Sequence, residues 1–294
     1  MVRRGPLYMV LASLLMTVMV GMVKLARVEL SPLQVVFWRA AFSLPLALGV
    51  AWRSGLAIRN GRAMALRCGF GFLAMTFSFT AARGLSLADL AIIAKLRPIL
   101  VTVLAPLLLG ALERERPLVW VALVGGLAGG FLIVGPDLAV GSTYGLWALA
   151  GTALSALAHV MVRLLGRTDN PRAVVFWFQA TVVALASVTI GVVPAAEWQW
   201  PPTQLWVPLL VCGLAATGAQ LLMTRAYQLD RAAPVATAAY AGPIFSVIGD
   251  VVAFGVLPGP KVLLGGLLVV GSGLLIVLLR PAPHPKPAQA PGAE

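Results

Sequence analysis

The chain has 294 residues, of which 60% are hydrophobic and 11% charged, with a formal net charge of +12. A soluble domain carries about 25% charged residues, so this chain lacks the polar surface a water-facing fold needs, and lipid is the solvent that fits it. Its basic residues fill short gaps between apolar runs instead of forming one polar face with interleaved aromatics, which excludes a nucleic-acid interface. Its two cysteines, Cys68 and Cys212, lie inside apolar runs without a C-x-x-C or Cys/His cluster; a thiolate metal centre and a disulfide framework are excluded, and no cofactor is expected.

A membrane-crossing helix needs about 20 mostly apolar residues, and ten such runs occur. The first, 6–26, follows Arg3-Arg4 and imitates a signal peptide. No small-residue cleavage site follows and further spans come after it, so it is read as a membrane helix. Lys24, near its outer end, is expected to snorkel to the interface. The second run, 32–52, carries Trp38 and Arg39, the latter about 10 Å deep at about 1.5 Å per residue. The third is 64–83. The fourth, 87–109, holds Lys95, Arg97 and Pro98 near mid-depth. The fifth, 117–135, spaces Gly125-Gly126 and Gly129-Gly130 for close helix packing. His159 lies in the sixth, 142–164, and Trp177 and Gln179 in the seventh, 173–193. Gln220 lies in the eighth, 204–226, with Tyr227 just beyond it. The ninth, 232–256, holds Tyr240, Pro243 and Asp250, and the tenth is 261–279. The Pro/Ala-rich tail, 281–294, with His284, reads as a disordered cytoplasmic end.

Lys and Arg placement orients the spans. One side collects Arg3, Arg4, Arg53, Arg59, Arg62, Arg67, Arg114, Arg116, Arg163, Arg167, Arg172, Arg225, Arg231, Arg280 and Lys286. The other holds Arg27, Arg83 and Lys261, with Lys24 near it. The bias places both termini in the cytoplasm of a multi-pass protein of a bacterial-type inner membrane.

The halves repeat. Pro32, Val35, Val36, Phe37, Trp38 and Ala41 recur 139 residues later as Pro171, Val174, Val175, Phe176, Trp177 and Ala180. Ala91, Ala94, Pro98, Gly110 and Gly126 recur 145 residues later as Ala236, Ala239, Pro243, Gly255 and Gly271. Each repeat has five helices, an odd number, so the second enters the membrane from the opposite side. The expected fold is an all-α integral membrane protein of ten transmembrane helices, arranged as two inverted five-helix repeats at 1–135 and 142–280. This arrangement is typical of secondary transporters. It also puts Cys68 and Cys212 toward opposite leaflets, where they cannot bridge.

The 5+5 layout resembles the drug/metabolite transporter superfamily of the EamA type over nearly all of residues 5–280. The stretches that carry the likeness are Gly84-Leu85-Ser86-Leu87-Ala88-Asp89 leading to Pro98, Leu109-Gly110-Ala111-Leu112-Glu113, Leu222-Met223-Thr224-Arg225-Ala226-Tyr227, and the ninth run with Pro243. The second repeat departs from the pattern: Pro258 stands where Glu113 would map. The resemblance implies a transporter of small metabolites. It covers exporters of amino acids and amino-acid-derived metallophores, and importers of nucleoside-like or vitamin molecules.

Ionisable groups inside a membrane are costly, which makes each a candidate site. Arg39 is read either as a substrate contact or as a structural ion. Lys95 is expected to face a central cavity; Arg97, two residues on, is about 200° away and shares that face only if Pro98 distorts the turn. The repeat equivalents of Lys95 and Arg97 are Tyr240 and Gly242, so a cation faces a neutral aromatic across the pseudo-twofold. Pro98 and Pro243 withhold hydrogen bonds from the carbonyls of Ala94 and Ala239, as in the broken helices of transporter sites or as simple packing kinks. Asp250 is a candidate for a coupling proton or for pairing with a buried cation, and His159 for titration or a helix–helix hydrogen bond. Trp38 and Trp177 are read as packing or substrate-stacking residues. Because cations outnumber acids in the spans, the substrate should carry at least one carboxylate.

An intramembrane enzyme is the rival class, but there is no H-E-x-x-H and no second aspartate beside Asp250 to share a proton. A channel would need a selectivity filter or charged ring, and neither is evident. No catalytic or metal residue is expected, and a homodimer stays open as an assembly.

Overall fold

The structure, a computed structural model, describes residues 4–27, 29–81, 85, 93–134, 143–192, 198–245, 247–248 and 259–278. Among these are ten α-helices and no strand: α1 (Arg4–Ala26), α2 (Pro32–Trp52), α3 (Gly61–Ala81), α4 (Arg97–Leu109), α5 (Pro117–Val134), α6 (Thr143–Leu165), α7 (Pro171–Val192), α8 (Trp206–Leu229), α9 (Ala232–Ala238) and α10 (Pro260–Leu278). Each falls on one of the ten apolar runs. Four of them, α2, α5, α7 and α10, open on a proline, whose fixed φ suits the first turn and whose missing N–H is not needed there. Ser31 and Gln34 cap α2 reciprocally, each side chain accepting from the other's backbone N–H. Asn60 caps α3 through the Ala63 amide.

By length and composition, α1, α2, α6, α7 and the Thr203–Leu229 stretch containing α8 suffice to cross a bilayer. Helices α4, α5 and α10 are apolar but shorter, α3 carries Arg62 and Arg67, and α9 breaks after seven residues. The large apolar side chains left facing outward, such as Leu107, Val188 and Leu267, are the lipid-facing surface of an integral membrane protein.

The packing obeys the repeat. Exchanging the halves maps α1 to α6, α2 to α7, α3 to α8, α4 to α9 and α5 to α10. The contact of α1 with α8 becomes that of α6 with α3, and α4 with α6 becomes α9 with α1. Helix pairs α2/α7, α4/α9 and α5/α10 map onto themselves. Equivalent helices also run antiparallel, the signature of an inverted repeat. At one end of the α2/α7 pair Asn170 donates to the Ser54 carbonyl; at the other Gln34 donates to the Gln199 carbonyl. In α5/α10, Gly129 faces Gly265 and Gly125 faces Ser272. A Cβ on Gly129 would sit 2.6 Å from the Gly265 carbonyl oxygen, and the reverse holds equally, so the backbones touch as the glycine spacing implies. Cys68 and Cys212 are both unbridged.

Candidate substrate-binding site

The site is set by two helix breaks. In the first repeat, residues 93–94 are helical, Lys95 and Leu96 form a turn, and α4 restarts at Arg97 with Pro98 in its first turn. In the second, α9 gives way to a 3-10 turn at Ala239–Ala241 before helix resumes at Gly242 and Pro243. The breaks are repeat equivalents, and α4 packs against α9. They meet directly: the Tyr240 hydroxyl donates to the Lys95 carbonyl at 2.9 Å. Gly126 makes room for the Tyr240 ring, which a Cβ there would strike. The Lys95 ammonium points to Gly242, 3.4 Å from where a Cβ on that glycine would lie. The turn at Lys95 and Leu96 is the distortion of the helix next to Pro98 that the sequence left open.

Behind them stand His159 of α6 and Tyr227 of α8, with ring centroids 5.7 Å apart. Both lie within electrostatic range of Arg97 and of Arg67. His159 Nδ1 is 2.6 Å from the Ser155 carbonyl. A carbonyl only accepts, so Nδ1 carries the proton and Nε2 is left as an acceptor. The bond stays within α6, not between helices.

Arg39 and Arg67 continue the basic line. Each is 4% exposed. The Arg39 guanidinium reaches two thioethers, Met75 Sδ at 3.1 Å and Met19 Sδ at 4.0 Å. Arg67 donates to Gln220 Oε1 at 3.2 Å and lies over the Phe178 ring, Cζ 3.8 Å from its centroid. Its Nε, like that of Arg97, has no hydrogen-bond partner among the described residues. Counting Arg67 among the loop cations is corrected here: Asn60 starts α3 at Gly61, which carries Arg67 about 9 Å into the helix at about 1.5 Å per residue. A capping asparagine followed by glycine was the signal that could have found it.

Among the described residues, the ion pairs join Glu113 to Arg163 and Arg167, and Glu115 to Arg231. All lie at the end bearing the basic loops, and none reaches Arg39, Arg67, Lys95 or Arg97. Asp250 lies outside the described residues. Glu113 closes that end. Its Oε1 accepts from Arg163 Nε at 2.9 Å and Arg167 Nη2 at 3.1 Å, and its Oε2 from the Ala232 amide at 3.0 Å. Burial acts to raise its pKa, but the Ala232 amide and the guanidiniums outweigh burial and hold the carboxyl below the usual range.

The tryptophans part company. Trp38 packs among Phe42, Trp198, Trp200 and Trp206 at the opposite end, its Nε1 without a hydrogen-bond partner among the described residues. Trp177 is 42% exposed and donates to the Leu56 carbonyl at 2.8 Å, beside a surface groove of about 480 Å³ that Cys68 and Thr181 also line. It joins neither Trp38 nor the Lys95 group. Gln179 is fully buried with neither amide atom bonded among the described residues.

Comparison with known proteins shows the family and the fold. The pseudopaline exporter CntI of Pseudomonas aeruginosa is 31% identical over 277 residues, 92% of this chain and 94% of that protein. Human solute carrier family 35 member G1 is 28% identical over 225 residues, 71% of this chain and 60% of the carrier. A solved crystal structure shares the fold, with a TM-score of 0.81 at 19% identity over 94% of this chain and 98% of that one. The family model for EamA-like transporters matches residues 3–135 and 143–278, and the chain belongs to that family.

Proposed function

We propose that this protein exports a carboxylate-bearing, amino-acid-derived metabolite, such as a metallophore, across the cytoplasmic membrane by alternating access, with its basic loops in the cytoplasm. The observation that carries this reading is the imbalance of charge at the helix breaks. Lys95 and Arg97 sit at the first break, and neither takes part in the ion pairs formed among the described residues. A buried cation without a counter-charge is costly, so an anionic cargo is the natural partner. The Lys95 ammonium, at the crossing of the two breaks, is the assigned first contact, and the Tyr240 hydroxyl, whose proton goes to the Lys95 carbonyl, positions that turn. The direction rests on likeness to the pseudopaline exporter. The inverted repeat supports two states in which the halves exchange conformations around one central site.

Single cysteines placed on α3 and α4 near the end opposite the basic loops test the mechanism. Their labelling by an impermeant thiol reagent should change when cargo is added. One central cysteine reached from both sides at once would mean a channel. Everted vesicles test direction: an exporter fills them with the metabolite, and an importer does not.

A further inference from the structure

The carboxylate reading accounts for Lys95 and Arg97 but leaves two buried guanidiniums without work. Arg39 and Arg67 come from α2 and α3, each 4% exposed; Arg67 Nη1 lies against Gly71 and Arg39 Nη2 against Met75, about one helical turn apart on α3. Their contacts among the described residues are neutral. A thioether sulfur is a weak acceptor that leaves the charge of Arg39 unopposed, and Arg67 has one amide oxygen and one aromatic face. The position of Arg67 is nonetheless built: a Cβ at Gly71 would collide with its Nη1 and with the Phe178 ring. Arg67 keeps an Nε without a hydrogen-bond partner among the described residues, Arg39 spends its donors on weak thioether acceptors, and guanidiniums match the geometry of a carboxylate.

This pair is separate from the first. The Lys95 ammonium lies against Gly242, whereas Arg39 reaches Met19 and Met75, and Arg67 reaches Gln220 and Phe178. The interior thus holds two cation doublets, Arg39/Arg67 and Lys95/Arg97, with different neighbours. All four cations come from the first repeat. Among the described residues, the second-repeat groups in contact with them are neutral, Phe178, Gln220, Tyr240 and Gly242; Asp250 lies outside the described residues.

We propose that Arg39 and Arg67 form a second anion locus, and that the cargo carries at least two carboxylates, one for each doublet. The proposal rests on the carboxylate reading above and deepens it to a di- or polycarboxylate. It makes Arg67 a specificity-determining residue: a monocarboxylate needs only the Lys95 end, whereas a dicarboxylate needs both.

The test uses the full-length protein in detergent, with butyrate, glutarate, citrate and inorganic phosphate as probes and thermal stabilisation as the readout. For the wild type, half-maximal stabilisation by glutarate or citrate should need at least tenfold less acid than by butyrate. Arg67→Gln should erase that advantage and Arg67→Lys should restore part of it, a cooperative melt with retained helical circular dichroism showing that both variants are folded. Lys95→Met should weaken all the acids. If Arg67→Gln and Arg39→Gln both keep the dicarboxylate preference, the second locus is wrong and the proposed function stands. If the wild type responds to no carboxylate, both readings fall. Stabilisation by phosphate equal to that by glutarate, and lost in Arg67→Gln, would assign the locus to a phosphoryl group and overturn the dicarboxylate.

Discussion

At the scale of single residues, the decisive contrast is between acids that are matched and cations that are not. Glu113 is 2% exposed, yet its two oxygens take three donors from α6 and the start of α9. A carboxyl whose pKa is lowered by folding stabilises the fold above its unfolded value. That contribution is complete at neutral pH, begins to fall below the ordinary glutamate value of about 4.3, and is gone below the depressed one. Glu113→Gln should therefore lower thermal stability at pH 7 by about 2 kcal/mol, within the range for charge-assisted hydrogen bonds, and flatten the acid side of the stability curve. Arg167 is 37% exposed, and water screens its share. A melting series from pH 3 to 8 on both proteins checks the difference; an unchanged acid limb would mean that Glu113 carries no such charge. None of this was legible in the sequence, because Arg163, Arg167 and Ala232 lie 50, 54 and 119 positions from Glu113. Lys95 and Arg97 were visible as charges inside an apolar run, and Tyr240 as the repeat equivalent of Lys95.

At the scale of elements, hydropathy placed the helices well and their ends less well. Runs of apolar residues broken by proline and glycine map onto α1 to α10, because a span is a length requirement written locally. The α3 start was the costly error: beginning the run at 64 instead of at the Asn60 cap kept Arg67 near the surface. The paired breaks at Lys95 and Tyr240 were readable from Pro98 and Pro243. The fates of Trp38 and Trp177 were not, although they stand in matching Val-Val-Phe-Trp blocks. Trp38 is covered by Trp198, Trp200 and Trp206, which the first repeat lacks at the corresponding place, while Trp177 faces outward. The glycine pairs of α5 were read correctly as a packing surface. Gly129→Ala puts a methyl 2.6 Å from the Gly265 carbonyl oxygen. It should cost about 1–3 kcal/mol by overpacking, seen as a lower melting temperature with the helical circular-dichroism signal retained. An unchanged melting temperature would show that α5 and α10 do not touch there.

At the scale of the whole molecule, the symmetric backbone and the asymmetric charge belong together. The inverted repeat gives two equivalent ways to pack one set of helices, which is what an alternating-access transporter requires. If the cations were repeated as well, each half would offer the same charge to the cargo; placing all four in the first repeat lets a polar, unsymmetrical molecule be held in one orientation. The closed end at Glu113 and the aromatic cluster around Trp38 lie at opposite ends of this interior. The central claim is that a carboxylate of the cargo is held by Lys95 at the crossing of the breaks. The most direct measurement is the initial rate of carboxylate transport into proteoliposomes at subsaturating cargo, wild type against Lys95→Met, which keeps side-chain length and removes the charge. Loss of a charge-assisted hydrogen bond worth about 1.5–3 kcal/mol predicts a rate about ten- to a hundredfold lower, with the variant still folded and inserted. Equal rates for the two proteins would contradict the assignment and make Lys95 a structural residue.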